Sequence, residues 1–149
     1  MGPVSFEAEE TTAIVTINRP EVRNAVSPEV SLELANSFRR FDRDQSLRVA
    51  ILTGAGGCFC AGADLKVVAT GQGNRVTEEG DGPLGCSRML LSKPVIAAVE
   101  GYAVPGGIEL PCGAICESPH GTRFSACSAG AGEFLSLTVG RSGCRGSSE

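Results

Sequence analysis

The stretch Gly101–Pro111, GYAVPGGIELP, decides how this chain is read. It follows KPVIAAVEG (93–101), a buried apolar run with the look of a strand. It then passes through the Gly106–Gly107 pair to a single carboxylate, Glu109, and stops at Pro111. Strand, small residues and then the start of a helix is a turn in which a ligand can approach the backbone closely, because glycine carries no side chain. A helix start also offers unpaired N–H groups and the positive end of the dipole. Glu109 has two readings on these grounds. It is an acid placed beside a reacting group, or a surface carboxylate in a first helical turn, where the dipole favours it.

An earlier part of the chain repeats the design. RVAILTG (48–54) is a continuous apolar run stopped by glycine, the pattern of a strand covered on both faces. AGGCFCAGADLKVV follows as a Gly-rich loop leading into a helix from about Ala63. Each turn taken alone is an ordinary strand-to-helix connection. Two of them converging on one point would hold an oxyanion such as the enolate of a thioester.

Working outward, AIVTI (13–17) is β-branched and reads as a strand, and NRPEVRNAV as a loop. Ser27-Pro28-Glu29 is a helix start, with Ser as N-cap, Pro at the first helical position and an acid in the first turn. Val30, Leu34, Phe38 and Phe41 recur at helical spacing, so the helix ends near Phe41–Arg43. TGQGNRVTEEGDGP (70–83) is a polar surface loop, and SRMLLS (87–92) reads as helical. The alternation of strands and helices predicts an α/β fold with parallel pairing.

Composition narrows the function. A chain of 149 residues with 42% hydrophobic and 20% charged residues has the material for one domain with a core. A net charge of −4 argues against nucleic acid as a partner. No apolar stretch approaches the length of a membrane span, and the acidic start MGPVSFEAEE has no signal-peptide run. The expectation is therefore a cytoplasmic protein with no membrane partner. Seven cysteines, an odd number without an export signal, favour free thiols over a disulfide framework.

The segments INRPEVRNAVS, ILTGAGGCFCAGADLK and KPVIAAVEGYAVPGGIEL resemble the N-terminal half of the enoyl-CoA hydratase/isomerase (crotonase) family. The resemblance runs from about Val4 to Leu110, apart from the loop 70–83, with three motifs in the family's order. It implies a crotonase-type ββα spiral, truncated here, assembled in the family as trimers or dimers of trimers. It implies acyl-CoA as substrate, no separate cofactor, and an oxyanion hole of two N–H groups, from Ala63 and Gly106. Asp64, Leu65 and Lys66 would lie along the CoA, with Lys66 near its phosphates. Arg23 is a second candidate there, the alternative being a solvated loop arginine. Glu109 matches the first of the two catalytic glutamates of the hydratases. Pro105 stands where many members carry Gly or Ala, and it leaves the Gly106 N–H intact. Cys58 and Cys60 read as small packing residues and Tyr102 as a core residue.

Beyond Leu110 the resemblance stops. The tail 111–149 contains no Asp and no Lys, is rich in Gly, Ser and Cys, and shows only EFLSLTV (133–139) as strand-like. It reads as a poorly ordered, non-family segment. A displaced reading frame accounts for it. Taken two bases on, permitted codons of the tail spell Ala-Val-Trp-Cys-Asp-Leu-Arg-Val-Ala from Leu110 onward, the family's own continuation. On this reading the second catalytic glutamate has no counterpart, since Glu117 and Glu133 belong to the unrelated tail. The chain would then lack the helices that complete the acyl pocket and the trimer contacts, so trimer or hexamer assembly is doubtful for it. Three activities stay open: an acyl-CoA hydratase or isomerase, an inactive remnant of one, and a metal-binding tail built on Cys112, Cys116, His120 and Cys127. A nucleotide P-loop at GAGGCFCAG fails, because no Gly-Lys-Ser/Thr follows.

Overall fold

The computed structural model describes residues 2–77, 80–101, 103 and 125–128. They form a five-stranded sheet in the order β1-β2-β3-β4-β5: β1 Val4–Glu9, β2 Thr12–Ile17, β3 Val49–Gly54, β4 Val95–Val99 and β5 Ser125–Ser128. β1 and β2 make an antiparallel hairpin, and the remaining pairs are parallel. The fold is α/β, as the alternation of elements predicts.

Side-chain alternation along parallel strands in register sorts residues into rows. Ala13, Ala50 and Val95 form one row and Val15, Leu52 and Ala97 the next, and all six are buried. Helix α1, Pro28–Arg43, covers this face with Val30, Leu34, Ala35, Phe38 and Phe41. Its ends are as expected. The Ser27 hydroxyl accepts from the Val30 N–H at 3.4 Å and Pro28 opens the first turn. At the other end the Lys93 ammonium donates to the Phe41 carbonyl at 2.9 Å, placing a cation on the negative end of the dipole. Burying this stripe, rather than helix propensity, is what holds a helix of this length.

The structure departs from the sequence reading in four places. The run 48–54 is buried on one face only, because α1 packs there; Ile14, Ile51 and Ile96 make a half-buried row on the other face. The segment 87–92 is a series of turns, not a helix. Gly82 and Gly85 sit at φ 89° and 85°, and Leu84, Cys86 and Leu91 point into the core from irregular backbone. A Cβ at Gly85 would lie 1.8 Å from the Ser31 carbonyl oxygen, so the chain crosses α1 at backbone contact there. Strand β1 was hidden by its acidic composition, although Val4 and Phe6 alternate inward against the core. Strand β5, SACS, has little strand propensity and is made by its ladder to β4; the strand expected at 133–139 lies outside the described residues. Among the described residues no helix is long and apolar enough to cross a membrane.

Candidate functional site

The site is built where the loops after β2, β3 and β4 meet. Strand β3 ends at Gly54, where a Cβ would stand 2.2 Å from both the Cys58 and Phe59 carbonyl oxygens. The chain therefore doubles back on itself immediately, which only glycine permits. Cys58, Phe59 and Cys60 turn into the core. Cys60 pairs with Ala103 in an isolated parallel bridge, and Gly101 crosses against the Gly57 carbonyl.

From Ala61 the loop runs beside residues 23–26. The Ala61 N–H donates to the Arg23 carbonyl at 3.0 Å, the Val26 N–H to the Gly62 carbonyl at 2.8 Å, and the Asp64 N–H to the Val26 carbonyl at 3.0 Å. This sets the direction of one group. The Gly62 carbonyl and the Ala63 N–H belong to the same planar trans peptide and point opposite ways. With the carbonyl held by Val26, the Ala63 N–H is turned to the other side. Among the described residues it is paired with no acceptor.

One side chain that sequence reasoning passed over organises this region. Asn24 is fully buried, at φ 56°, a left-handed conformation that Asn tolerates better than most residues. Its amide donates to the Ala55 carbonyl at 2.8 Å and to the Cys58 carbonyl, and its oxygen accepts from the Arg19 N–H at 2.8 Å. Asn24 thereby holds the loop after β3 to the loop after β2. The signal was the Asn inside NRPEVRNAV: a short amide that bonds backbone and accepts a left-handed φ.

The candidates from the sequence fall as follows. Ala63 is half-buried with its N–H as described. Asp64 is buried, and its carboxylate is used within the protein: one oxygen accepts from the Lys66 N–H at 3.2 Å and the other pairs with the Arg19 guanidinium at 3.1 Å. Leu65 is 78% exposed and Lys66 is exposed beside it. Arg23 is exposed, at φ 53°, and its carbonyl serves Ala61. Gly106 and Glu109 lie outside the described residues, as do Tyr102 and Pro105. Helix α2, Leu65–Ala69, has only five residues, so any anion preference here rests on individual N–H groups more than on a long dipole.

The thiols of this region are packing groups. Burial pushes the Cys60 thiol up to about 11, against the opposing N–H of Gly62, and the Cys86 thiol up to about 12. Neither is a thiolate nucleophile near neutral pH. No group of three or more His, Cys, Asp or Glu is arranged to hold a metal among the described residues. The proposed ligand set Cys112, Cys116, His120 and Cys127 lies outside them, except for the backbone of Cys127 in β5.

Comparison with known proteins matches residues 7–116 to the family model described as enoyl-CoA hydratase/isomerase. Enoyl-CoA hydratase EchA19 of Mycobacterium tuberculosis is 45% identical over 115 residues, 73% of this chain and 43% of that protein. The (E)-benzylidenesuccinyl-CoA hydratase of Thauera aromatica is 41% identical over 110 residues, 72% of this chain and 43% of that protein. The crystal structure of enoyl-CoA hydratase EchA1 from Mycobacterium marinum superposes with a TM-score of 0.72 at 44% identity, covering 85% of this chain and 45% of that one. The chain thus spans less than half the length of the relatives it matches.

Proposed function

The chain belongs to the enoyl-CoA hydratase/isomerase family, and on that footing we propose that it binds an acyl-CoA thioester and holds the thioester oxygen with the N–H groups of Ala63 and Gly106. The observation that carries this is the Ala63 N–H, turned away from Val26 by the bond that Val26 makes to Gly62. The bridge between Cys60 and Ala103 supports the pairing of the two donors. Ala63 and Gly106 each follow the bridge by three residues in sequence.

Hydration of an α,β-unsaturated thioester follows. Glu109 takes a proton from water as the water oxygen bonds to Cβ. The double-bond electrons move toward the carbonyl and leave the negative charge of an enolate on the thioester oxygen. The two N–H groups stabilise that charge more than they stabilise the neutral carbonyl, which is how a hole of this kind lowers a barrier. The enolate then takes at Cα the proton that Glu109 gained from the water, which returns the carboxylate to its starting form and completes the addition of one water. Leu65, Lys66 and Arg23 are the exposed side chains near the Ala63 turn in sequence or space, and we assign the two cations to the CoA phosphates.

We assign the tail beyond Leu110 to a displaced reading frame. The family match ends at Cys116, soon after Pro111, which supports this. A second reading, in which this chain binds the thioester without turning it over, rests on the tail beyond Leu110, where neither Glu117 nor Glu133 matches the family's second glutamate. One assay separates the two. If the chain is catalytic, adding it to crotonyl-CoA depletes the enoyl absorbance, and Glu109→Gln abolishes that loss. Undiminished turnover in Glu109→Gln removes Glu109 from the mechanism. A melting temperature raised by butyryl-CoA without any turnover supports the binding-only reading, and no shift with any CoA ester refutes both.

A further inference from the structure

A buried carboxylate stands one residue from the proposed oxyanion donor. Asp64 follows Ala63 directly, and its side chain is only 7% exposed. A negative charge so close to a developing oxyanion opposes it, and the opposition grows where water is excluded. The carboxylate also has a structural task, accepting the Lys66 N–H at 3.2 Å at the start of α2. The fold therefore needs the group and the proposed chemistry needs its charge removed.

Arg19 meets both needs. Its Nη1 donates to the Asp64 carboxylate at 3.1 Å and to the Ala25 carbonyl at 2.7 Å. The side chain is 21% exposed, so the pair is only weakly screened by solvent. The Arg19 backbone is fixed in turn by Asn24, whose oxygen accepts the Arg19 N–H. The guanidinium thus ties residue 25 to residue 64. These flank the Val26–Gly62 hydrogen bond that aims the Ala63 N–H. We propose that Arg19 is a positioning residue for the oxyanion hole, one that neutralises the Asp64 carboxylate beside the Ala63 N–H and keeps it turned away from the bound thioester oxygen. The proposal rests on the function assigned above, and its reaction partner is the same acyl-CoA thioester.

The test is the carbonyl stretch of 1-¹³C-butyryl-CoA bound to the full chain, read by isotope-edited infrared at saturating ligand. The unsubstituted chain lowers the stretch relative to free butyryl-CoA. Arg19→Met, which leaves the carboxylate uncompensated, loses most of that lowering. Asp64→Asn keeps it, because an amide oxygen still accepts the Lys66 N–H without a charge. The double variant recovers what Arg19→Met lost, which a merely structural role for Arg19 would not produce. Should Arg19→Met fail to fold, Arg19→Gln, which keeps a donor without the charge, takes its place in the same cycle with Asp64→Asn. Full lowering in Arg19→Met, loss in Asp64→Asn, or no recovery in the double variant each overturns the proposal. Bound butyryl-CoA with an unshifted stretch in the unsubstituted chain refutes the oxyanion hole itself, a different failure.

Discussion

Replacing Asn24 by alanine removes three hydrogen bonds at once and leaves a residue at φ 56° that alanine disfavours. The Asn24 bond to the Cys58 carbonyl is buried, and losing it costs about 1–3 kcal/mol. The Arg19 N–H and the Ala55 carbonyl are partly buried, can recruit water, and cost about 0.5–1 kcal/mol each. The left-handed backbone adds about 1 kcal/mol for alanine over asparagine. The total is about 3–6 kcal/mol, a large share of the roughly 5–15 kcal/mol that stabilises an ordinary domain. With a urea slope of about 2 kcal/mol per molar, the midpoint falls by roughly 2 M. Urea titration followed by far-ultraviolet circular dichroism measures this directly. Asn24→Gly separates the two causes, since glycine loses the same bonds and adopts positive φ freely; it is expected to be about 1 kcal/mol less damaging than alanine. A loss below about 1 kcal/mol in Asn24→Ala, or a glycine variant no better than the alanine one, refutes the reasoning.

Two further predictions follow from burial. Phe38 is 2% exposed and sits where α1 meets the sheet, so Phe38→Ala lowers stability by about 3–5 kcal/mol, while Leu32→Ala, on the exposed side of the same helix, stays within about 0.5 kcal/mol; urea midpoints of the two variants compare them. The Cys60 and Cys86 thiols are raised by burial from 9.0 to about 11 and about 12. Protons are held more tightly in the folded chain, so the stability these groups contribute is complete below pH 9 and is lost as pH rises through 11 and 12. Iodoacetamide at pH 8 therefore labels both cysteines quickly in urea and slowly in the folded chain, as peptide mass mapping will show; fast native labelling of Cys86 contradicts its burial.

Much of the fold was legible because its signals are local. The Ser27-Pro28 start and the spacing of Val30, Leu34, Phe38 and Phe41 specify α1 to its ends, since a helix is held by contacts within a few residues and by one apolar stripe. Strands β2, β3 and β4 were visible as β-branched or apolar runs. The misreadings share one cause. Met89, Leu90 and Leu91 look helical as a string, but crossing α1 at Gly85 keeps that segment in turns. SACS looks like nothing in particular, and pairing with β4 alone makes it a strand.

The candidate site divides in the same way. The sequence by itself determined that a Gly-rich turn ending in Ala63 exists after β3, because small residues and a strand boundary are written locally and match a family. It could not show that the Asp64 carboxylate is already taken by Arg19, 45 positions earlier. Nor could it show that Val26 aims the Ala63 N–H through Gly62. Those facts depend on which loops the parallel sheet brings side by side. A hydrogen bond between distant residues has no periodicity or composition to betray it, so only the tertiary structure could decide them.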